Sequence, residues 1–345
     1  MKYSIIIAAS RNKDLVDCLD SIKNLNFPKD DFETIILADE PLKLETSGAN
    51  IKFFSFPEKT HPSYKRNYGA ANAQDEFFCF LDDDTKVPKD WLANIAQIVN
   101  ANPKIIVAGP NRDSRKDFKY RIANIIQESP LTEGLHSHSK QTGDFRISDH
   151  HNMPLCNLIV PRKIFDRIHG FNETASYFMD DVEFCYIASK LGYELRLCPS
   201  LEIQHNIRPL LFPYLKYKFK TRYQVGKNFL LFPECYLGAK QIWLVGISYL
   251  FLLSIPVIGP GFFLKIATFL AGIYLLTILT LNLKHLKNPI EYLAIVALTI
   301  KVHFLSWLGF TLGLLEGLIG FIFDYGKIKK ILSHKKLRYT LFKNQ

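Results

Sequence analysis

The apolar run Phe77-Phe78-Cys79-Phe80-Leu81 passes directly into three carboxylates, Asp82-Asp83-Asp84. Side chains alternate along a strand, so Asp82 and Asp84 lean one way and Asp83 the other. In open α/β sheets ligands bind beyond the carboxyl ends of the strands, where these aspartates fall. Carboxylates crowded at a strand end repel one another unless a cation joins them. Oxygen ligands suit Mg2+ or Mn2+, which can bridge onward to a substrate diphosphate. A solvated acidic turn is the plainer reading of an Asp-Asp pair. The strand in front, and the helix start behind at Pro88, Trp91 and Leu92, favour the metal site.

A second acidic group follows Gly170-Phe171-Asn172-Glu173, in the run Phe178-Met179-Asp180-Asp181-Val182-Glu183-Phe184. Asp180 and Asp181 open a helical pattern, and a helix N-terminus stabilises charge, so an ionised general base is expected there. Aspartate is also a common helix cap, and this pair gains weight only alongside the first cluster. His205 stands at the end of the last strand-like segment, where a structural role and a ligand role are both open.

The elements that position these residues are short apolar runs alternating with helical patterns. Ser4–Ala9, Glu33–Ala38, Lys52–Phe56, Phe77–Leu81 and Leu155–Val160 read as strands. Leu15, Leu19 and Ile22 recur at helical spacing, and Arg162–Ile168 and Asp181–Leu191 are helical. Near-continuous apolar strands separated by helices predict an α/β fold whose parallel sheet is covered on both faces. Arg112–His151 is polar, weakly patterned and expected to be rich in loops.

Charge is divided unevenly. Met1–His205 holds 25 Lys+Arg against 29 Asp+Glu, and Asn206–Gln345 holds 18 against 4, giving −4 and +14 of the net +10. The positive half is also the half with long apolar runs, which points to an anionic membrane surface and away from nucleic acid. Ile207–Gln241 mixes aromatics with Arg208, Lys216, Lys218, Lys220, Arg222 and Lys227, and is expected to be an interfacial helix. A soluble amphipathic helix is the alternative. Ile242–Gly259 and Phe262–Leu281 each approach the 20 or so residues needed to cross a hydrocarbon core. Ile290–Phe323, interrupted by Lys301, His303 and Glu316, is too long for one ordinary span and predicts a second hairpin or a re-entrant segment. Lys284 and Lys287, with seven Lys+Arg after Asp324, predict a multi-pass cell-membrane protein whose loops and N-terminal domain are cytoplasmic. The first strand lacks the length of a signal peptide. The six cysteines show no metal spacing and read as buried thiols in a reducing compartment.

The ordered set of motifs resembles the family 2 glycosyltransferases. Ser4–Ile7 stands as the opening strand, Glu33–Ala38 with Asp39 as the second, and Arg66-Asn67 with Gly69 as the next helix. Asp82-Asp83-Asp84, Trp91-Leu92, Asn157 with Pro161-Arg162, Gly170–Glu173, Asp180-Asp181 and His205 follow in order. The resemblance implies a GT-A nucleotide-sugar-binding, Rossmann-like domain over residues 1–205. Residues 206–241 would be an interfacial region, and residues 242–345 a membrane region with a basic tail. It implies Asp181 as catalytic base and Asp82, Asp84 and His205 on a Mg2+ or Mn2+ ion. Asp39, Arg66, Asp83 and Asp180 would contact the nucleotide-sugar. The implied reaction is an inverting hexosyl transfer from a nucleotide diphosphate-sugar to a lipid-linked or glycan acceptor. Ala8, Ala38, His169 and Ile187 depart from the family pattern without removing a group that the chemistry needs. Two rivals stand beside this reading. A processive polysaccharide synthase would carry Gln-x-x-Arg-Trp, where this chain has Arg222-Tyr223-Gln224-Val225-Gly226. A silent binding protein would have lost acidic positions that are present here.

Overall fold

A computed structural model of the chain describes residues 2–10, 12–39, 50–129, 132, 146–147, 150–173, 180–206, 212–236, 240–286 and 288–323. Phe178, Met179, Lys287 and the basic tail after Asp324 lie outside the described residues. In chain order the elements are β1 (Tyr3–Ala9), α1 (Asn12–Lys23), β2 (Phe32–Ala38), β3 (Ile51–Ser55), α2 (Pro62–Asn72), β4 (Phe77–Asp82) and β5 (Thr85–Lys86). Next come α3 (Trp91–Ala101), β6 (Ile105–Ala108), β7 (Asn111–Arg112), α4 (Phe118–Glu128), β8 (Arg146–Ile147), β9 (Asn157–Pro161), α5 (Arg162–Ile168), α6 (Asp180–Lys190), β10 (Glu194–Leu197) and β11 (Ile203–His205). The remainder is helical: α7 (Phe212–Phe229), α8 (Pro233–Tyr236), α9 (Lys240–Leu253), α10 (Ile255–Ile258), α11 (Pro260–Leu281) and α12 (Pro289–Phe323). The described residues form two compact units, one drawn from Met1–Ser114 and His136–Ile207, the other from Arg115–Leu135 and Arg208–Asp324.

The first unit is built on an eight-stranded sheet of order β3-β2-β1-β4-β9-β6-β10-β8. β1 runs parallel to β2 and β4, and β9 enters antiparallel between β4 and β6. The strands are apolar on both sides because both faces are covered. Tyr3, Ile5 and Ile7 of β1, with Phe77, Cys79 and Leu81 of β4, pack against Leu15 and Leu19 of α1 and against Trp91 and Ile95 of α3. On the other face Ile6, Phe78 and Phe80 meet Phe165 of α5, Phe171, and Phe184 of α6. Phe165 and Phe171 lie 5.3 Å apart and Phe80 and Phe171 5.0 Å apart, both at steep angles, the edge-to-face arrangement that aromatic quadrupoles favour. A small second sheet of order β5-β11-β7 joins distant segments of the chain.

His169 (φ 63°) and Gly170 (φ 68°) both take left-handed conformations at the end of α5. A glycine suits this geometry, and His169 occupies it where the family pattern has one. All six cysteines are buried and free of disulfides.

The second unit corrects two expectations. The segment expected to be loop-rich contains helix α4, whose Ile122, Ala123 and Ile126 are buried at helical spacing. α4 belongs to the second unit, where Arg121 pairs with Glu291 of α12. The long apolar run is one uninterrupted helix of 35 residues, not a hairpin. Its glycines explain how it packs. A Cβ on Gly309 would lie 2.6 Å from the Phe219 carbonyl oxygen, and one on Gly313 or Gly317 would strike the carbonyls of Tyr223 and Lys227. A glycine every fourth residue thus opens one face of α12 to the backbone of α7, the small-residue packing used where helices approach closely. Lys227 and Glu316 close the same contact at 2.6 Å. Gly313→Val should therefore separate α7 from α12. Limited trypsin digestion should cut after Arg222 and Lys227 in the variant while sparing both in the parent; equal protection would show that the close approach is dispensable.

Candidate active site

The acidic cluster sits where the sheet register puts it. Ala8 of β1 pairs with Asp82 of β4, and Leu81 pairs with Asn157 of β9, so the first aspartate emerges at the carboxyl edge between two strands. Asp83 turns aside, and its Oδ2 accepts the Ser10 N–H at 2.7 Å, joining the β4 end to the loop after β1. β11 pairs antiparallel with β5, His205 opposite Thr85, and the Asn206 N–H donates to the Asp84 carbonyl at 3.0 Å. This small ladder carries His205 to the acidic turn, with Nε2 3.2 Å from Asp84 Oδ1. Asp82, Asp84 and His205 each offer one ligand atom, all within 4.8 Å of one another. Two carboxylates and an imidazole at this spacing fit a hard or borderline divalent cation, with the nitrogen favouring Mn2+ over Mg2+.

Burial opposes charge on His205, but the Cys156 sulfur and the Asp84 carboxylate favour it, and the imidazole is held well above its ordinary value. The Cys156 thiol is itself pushed up by burial, which leaves Asp84 as the lasting cause.

Arg66 ties the two acidic groups together. Its Nη2 donates to Asp82 Oδ1 at 2.9 Å and its Nη1 to Asp180 Oδ2 at 3.0 Å. Asp180 also accepts from Ser63 Oγ at 2.9 Å, and both Asp180 and Arg66 are buried. Burial works against the guanidinium charge, yet Asp180 and Asp82 more than offset it and raise the group above its ordinary value. Asp180 therefore lies inside an ion-pair network.

Asp181, half-buried at the head of α6, behaves differently from the expectation. Burial and the neighbouring Asp180 push its carboxyl up to about 7, against the Val182 N–H and Arg66, which pull it down. The favourable helix N-terminus does not prevail. A carboxyl near neutrality is suited to take a proton and give it up again.

Asp39 extends from β2 and accepts the Thr60 N–H at 2.9 Å and Lys65 Nζ at 2.8 Å, both on Oδ1. Asp39, Arg66, Asp82, Asp83, Asp84, Asp180, Asp181 and His205 all fall in the first unit.

Sequence reasoning marked Asn67 and Asn157 as motif residues without revealing their partners, and passed over Lys65. Asn67 Nδ2 donates to the Phe171 carbonyl and to Glu173, while its Oδ1 accepts the Phe171 N–H. It thereby binds α2 to the Gly-Phe-x-Glu block. Asn157 accepts from Trp91 Nε1 at 3.1 Å and donates to the Leu201 carbonyl at 2.7 Å. Lys65 left one signal: it precedes Gly69 by one helical turn and so shares the sheet-facing side of α2.

Residues 4–168 match the family model described as Glycosyl transferase family 2. Over these residues, just under half of its length, the chain is similar to that family. The chain is 26% identical over 334 residues to the dolichyl N-acetyl-alpha-D-glucosaminyl phosphate 3-beta-D-2,3-diacetamido-2,3-dideoxy-beta-D-glucuronosyltransferase of Methanococcus voltae, covering 91% of this chain and 97% of that one. Its fold matches the mannosyltransferase PcManGT of Pyrobaculum calidifontis, solved with GDP-Man and Mn2+, at a TM-score of 0.54 and 14% identity, over 90% of this chain and 87% of that one. A crystal structure of S. aureus TarS 1-349 aligns at a TM-score of 0.49 and 16% identity, over 93% of this chain and 92% of that one. The GT-A fold expected from the motifs is thus the fold of this chain.

The raised Asp181 carboxyl has two measurable consequences. If Asp181 accepts the proton in catalysis, kcat should fall about tenfold for each pH unit below about 7 and level off above it. An inflection near 4 would mean an ordinary carboxylate. Its folded-state value lies above its unfolded one, so this group's stabilisation is full below about pH 4, is lost as pH rises to about 7, and the full cost persists above that. Asp181→Asn should therefore raise Tm at pH 8.

Proposed function

We propose that this glycosyltransferase moves a sugar from a nucleoside diphosphate-sugar to a hydroxyl of a lipid-linked phosphosugar, inverting the anomeric centre. The observation that carries the reading is Asp181: a carboxyl pushed up to about 7, joined through Asp180 and Arg66 to the Asp82, Asp84 and His205 set. Asp181 would take the proton from the acceptor hydroxyl as that oxygen attacks the anomeric carbon. The bond from that carbon to the diphosphate oxygen breaks on the opposite side, and the electron pair leaves with the nucleotide. Asp82, Asp84 and His205 would hold a divalent cation, which supplies charge neutralisation for the departing diphosphate. Arg66 keeps Asp82 and Asp180 in place, Asp83 fixes the loop after β1 through Ser10, and Asp39 faces the nucleobase.

The choice of acceptor is supported by the Methanococcus voltae relative, whose name specifies a dolichyl phosphosugar and whose length is matched almost throughout. The nucleotide-sugar donor and the metal are supported by the GDP-Man and Mn2+ bound to the Pyrobaculum calidifontis enzyme.

Membrane attachment through the second unit completes the reading, with the catalytic unit in the cytoplasm. Among the described residues two helices are long and apolar enough to cross a membrane, α11 with a mean hydropathy of 2.1 and α12 with 1.8. α11 is almost wholly exposed, as a lipid-facing helix would be. At 1.5 Å per residue α12 is about 52 Å long, well over the hydrocarbon thickness of about 30 Å. Its glycine face holds α7, with Lys216 and Lys220 exposed, and cations at the bilayer centre cost about 2.5–3.5 kcal/mol each. The C-terminal half of α12 is therefore read as lying at the headgroup level with α7.

Three experiments test these proposals. Purified full-length protein with Mn2+ and a polyprenyl-phospho-N-acetylglucosamine acceptor should release nucleotide from one of UDP-, GDP- or dTDP-sugars, and EDTA should abolish the release. Asp181→Asn should lower kcat by about 10²–10⁴-fold with donor KM unchanged. A normal kcat in that variant, with collapse in Asp180→Asn, would move the base to Asp180. Membranes washed with alkaline carbonate should retain the protein; release by salt alone would exclude integral attachment.

A further inference from the structure

Lys65 is only 1% exposed, a placement its ammonium tolerates only when the burial cost is met by partners. Its Nζ donates to the Ala9 carbonyl at 2.8 Å and lies 2.8 Å from Asp39 Oδ1. Ala9 ends β1, and its register partner Ala38 ends β2 immediately before Asp39. One cation therefore staples two strand ends directly beneath the carboxylate that leaves the second. The reach depends on α2 lying close to the sheet. A Cβ on Gly69 would fall 2.7 Å from Ile6 Cγ2 and 2.9 Å from Leu37 Cδ1, so the glycine lets the helix approach and brings Lys65 inward.

The pair is asymmetric. Lys65 is sealed, whereas the Asp39 side chain keeps 15% of its surface at the ligand end of the sheet. The Thr60 N–H and Lys65 both occupy Oδ1, and among the described residues Oδ2 accepts no hydrogen bond. A carboxylate held at one oxygen from two directions cannot rotate, and its other oxygen keeps a fixed aim.

We propose that Lys65 is a positioning residue for nucleobase recognition, locking Asp39 so that Oδ2 meets a base carrying an N–H on its pairing edge. The inference rests on the reading of Asp39 as the base contact. An ionised carboxylate only accepts hydrogen bonds. It suits the N3–H of uracil or thymine and the N1–H of guanine, and it repels cytosine, whose N3 is itself an acceptor. Arg66, one residue on, directs its guanidinium to Asp82 and Asp180 and not to Asp39.

The test is titration of full-length protein in detergent with UDP, GDP, dTDP and CDP in the presence of Mn2+. Lys65→Met should weaken the preferred nucleotide about tenfold and bring its affinity ratio to CDP toward one, with kcat at saturating donor unchanged. Asp39→Asn should lose the same preference, and Asp39→Asn/Lys65→Met should match Asp39→Asn alone. A Lys65→Met protein with lowered Tm but an intact base ratio would overturn the proposal, because a purely structural ion pair affects stability and not selectivity. A double variant weaker than Asp39→Asn would also overturn it, by showing that Lys65 touches the nucleotide itself. If Asp39→Asn keeps the native ratio, the reading of Asp39 fails and the proposal with it. Should Lys65→Met not fold, the double variant removes both charges of the pair, and its comparison with Asp39→Asn decides the question.

Discussion

Two groups of acids from different parts of the chain converge on one guanidinium. Asp82 arrives on β4 and Asp180 on α6, and without Arg66 between them their carboxylates would face each other across a poorly hydrated space. Opposite charges about 4 Å apart are worth roughly 4 kcal/mol at an effective dielectric near 20, and like charges cost as much. The planar fork of arginine satisfies both partners at once, which the single ammonium of lysine could not do with the same geometry. The buried network is thus less a source of net stability than a condition for bringing these acids together.

The surrounding fold serves that condition. α2 must present Arg66 at a fixed depth, and Asn67 beside it grips both backbone polar groups of Phe171, so the helix and the block leading to α6 move as one piece. Phe171 is anchored in turn among Phe80, Phe165 and Phe184. Rings so packed resist displacement, because interiors at crystal-like density have no slack for a side chain to give way. The Arg-Asn and Gly-Phe-x-Glu motifs, distant in sequence, are two halves of one contact.

β1, β2, β3, β4 and β9 were legible because each announces itself as an apolar run, and the acidic groups because carboxylates at strand ends are conspicuous; β6, β8 and β10, two to four residues long, were not read. The β9 reversal was not legible: Leu155–Val160 is apolar on both faces, and periodicity says nothing about direction. Helix α4 was hidden by Arg121 and its neighbouring lysines, which sit outside while Ile122 and Ile126 face inward. Lys65 was missed, and Asn157 was named without its contacts, for a related reason. Their importance lies in partners far along the chain, Ala9 and Asp39 for one and Trp91 and Leu201 for the other, which composition does not reveal. The α12 run looked like two segments because Lys301, His303 and Glu316 interrupt its hydropathy, although none of these residues breaks a helix.

Asp181 shows most directly how magnitudes decide a role. Its place at the head of α6 favours the charged form by about 0.3–1 kcal/mol. That is less than the 1.36 kcal/mol or so carried by one pH unit. Burial and Asp180 have nevertheless moved the carboxyl from 3.8 to about 7, so the unfavourable surroundings outweigh the helix several times over. Arg66 could have cancelled the push, but both of its assigned bonds go to Asp82 and Asp180. The guanidinium that holds the site together is thereby spent on the two acids that need to stay ionised, and the third is left poised to exchange its proton.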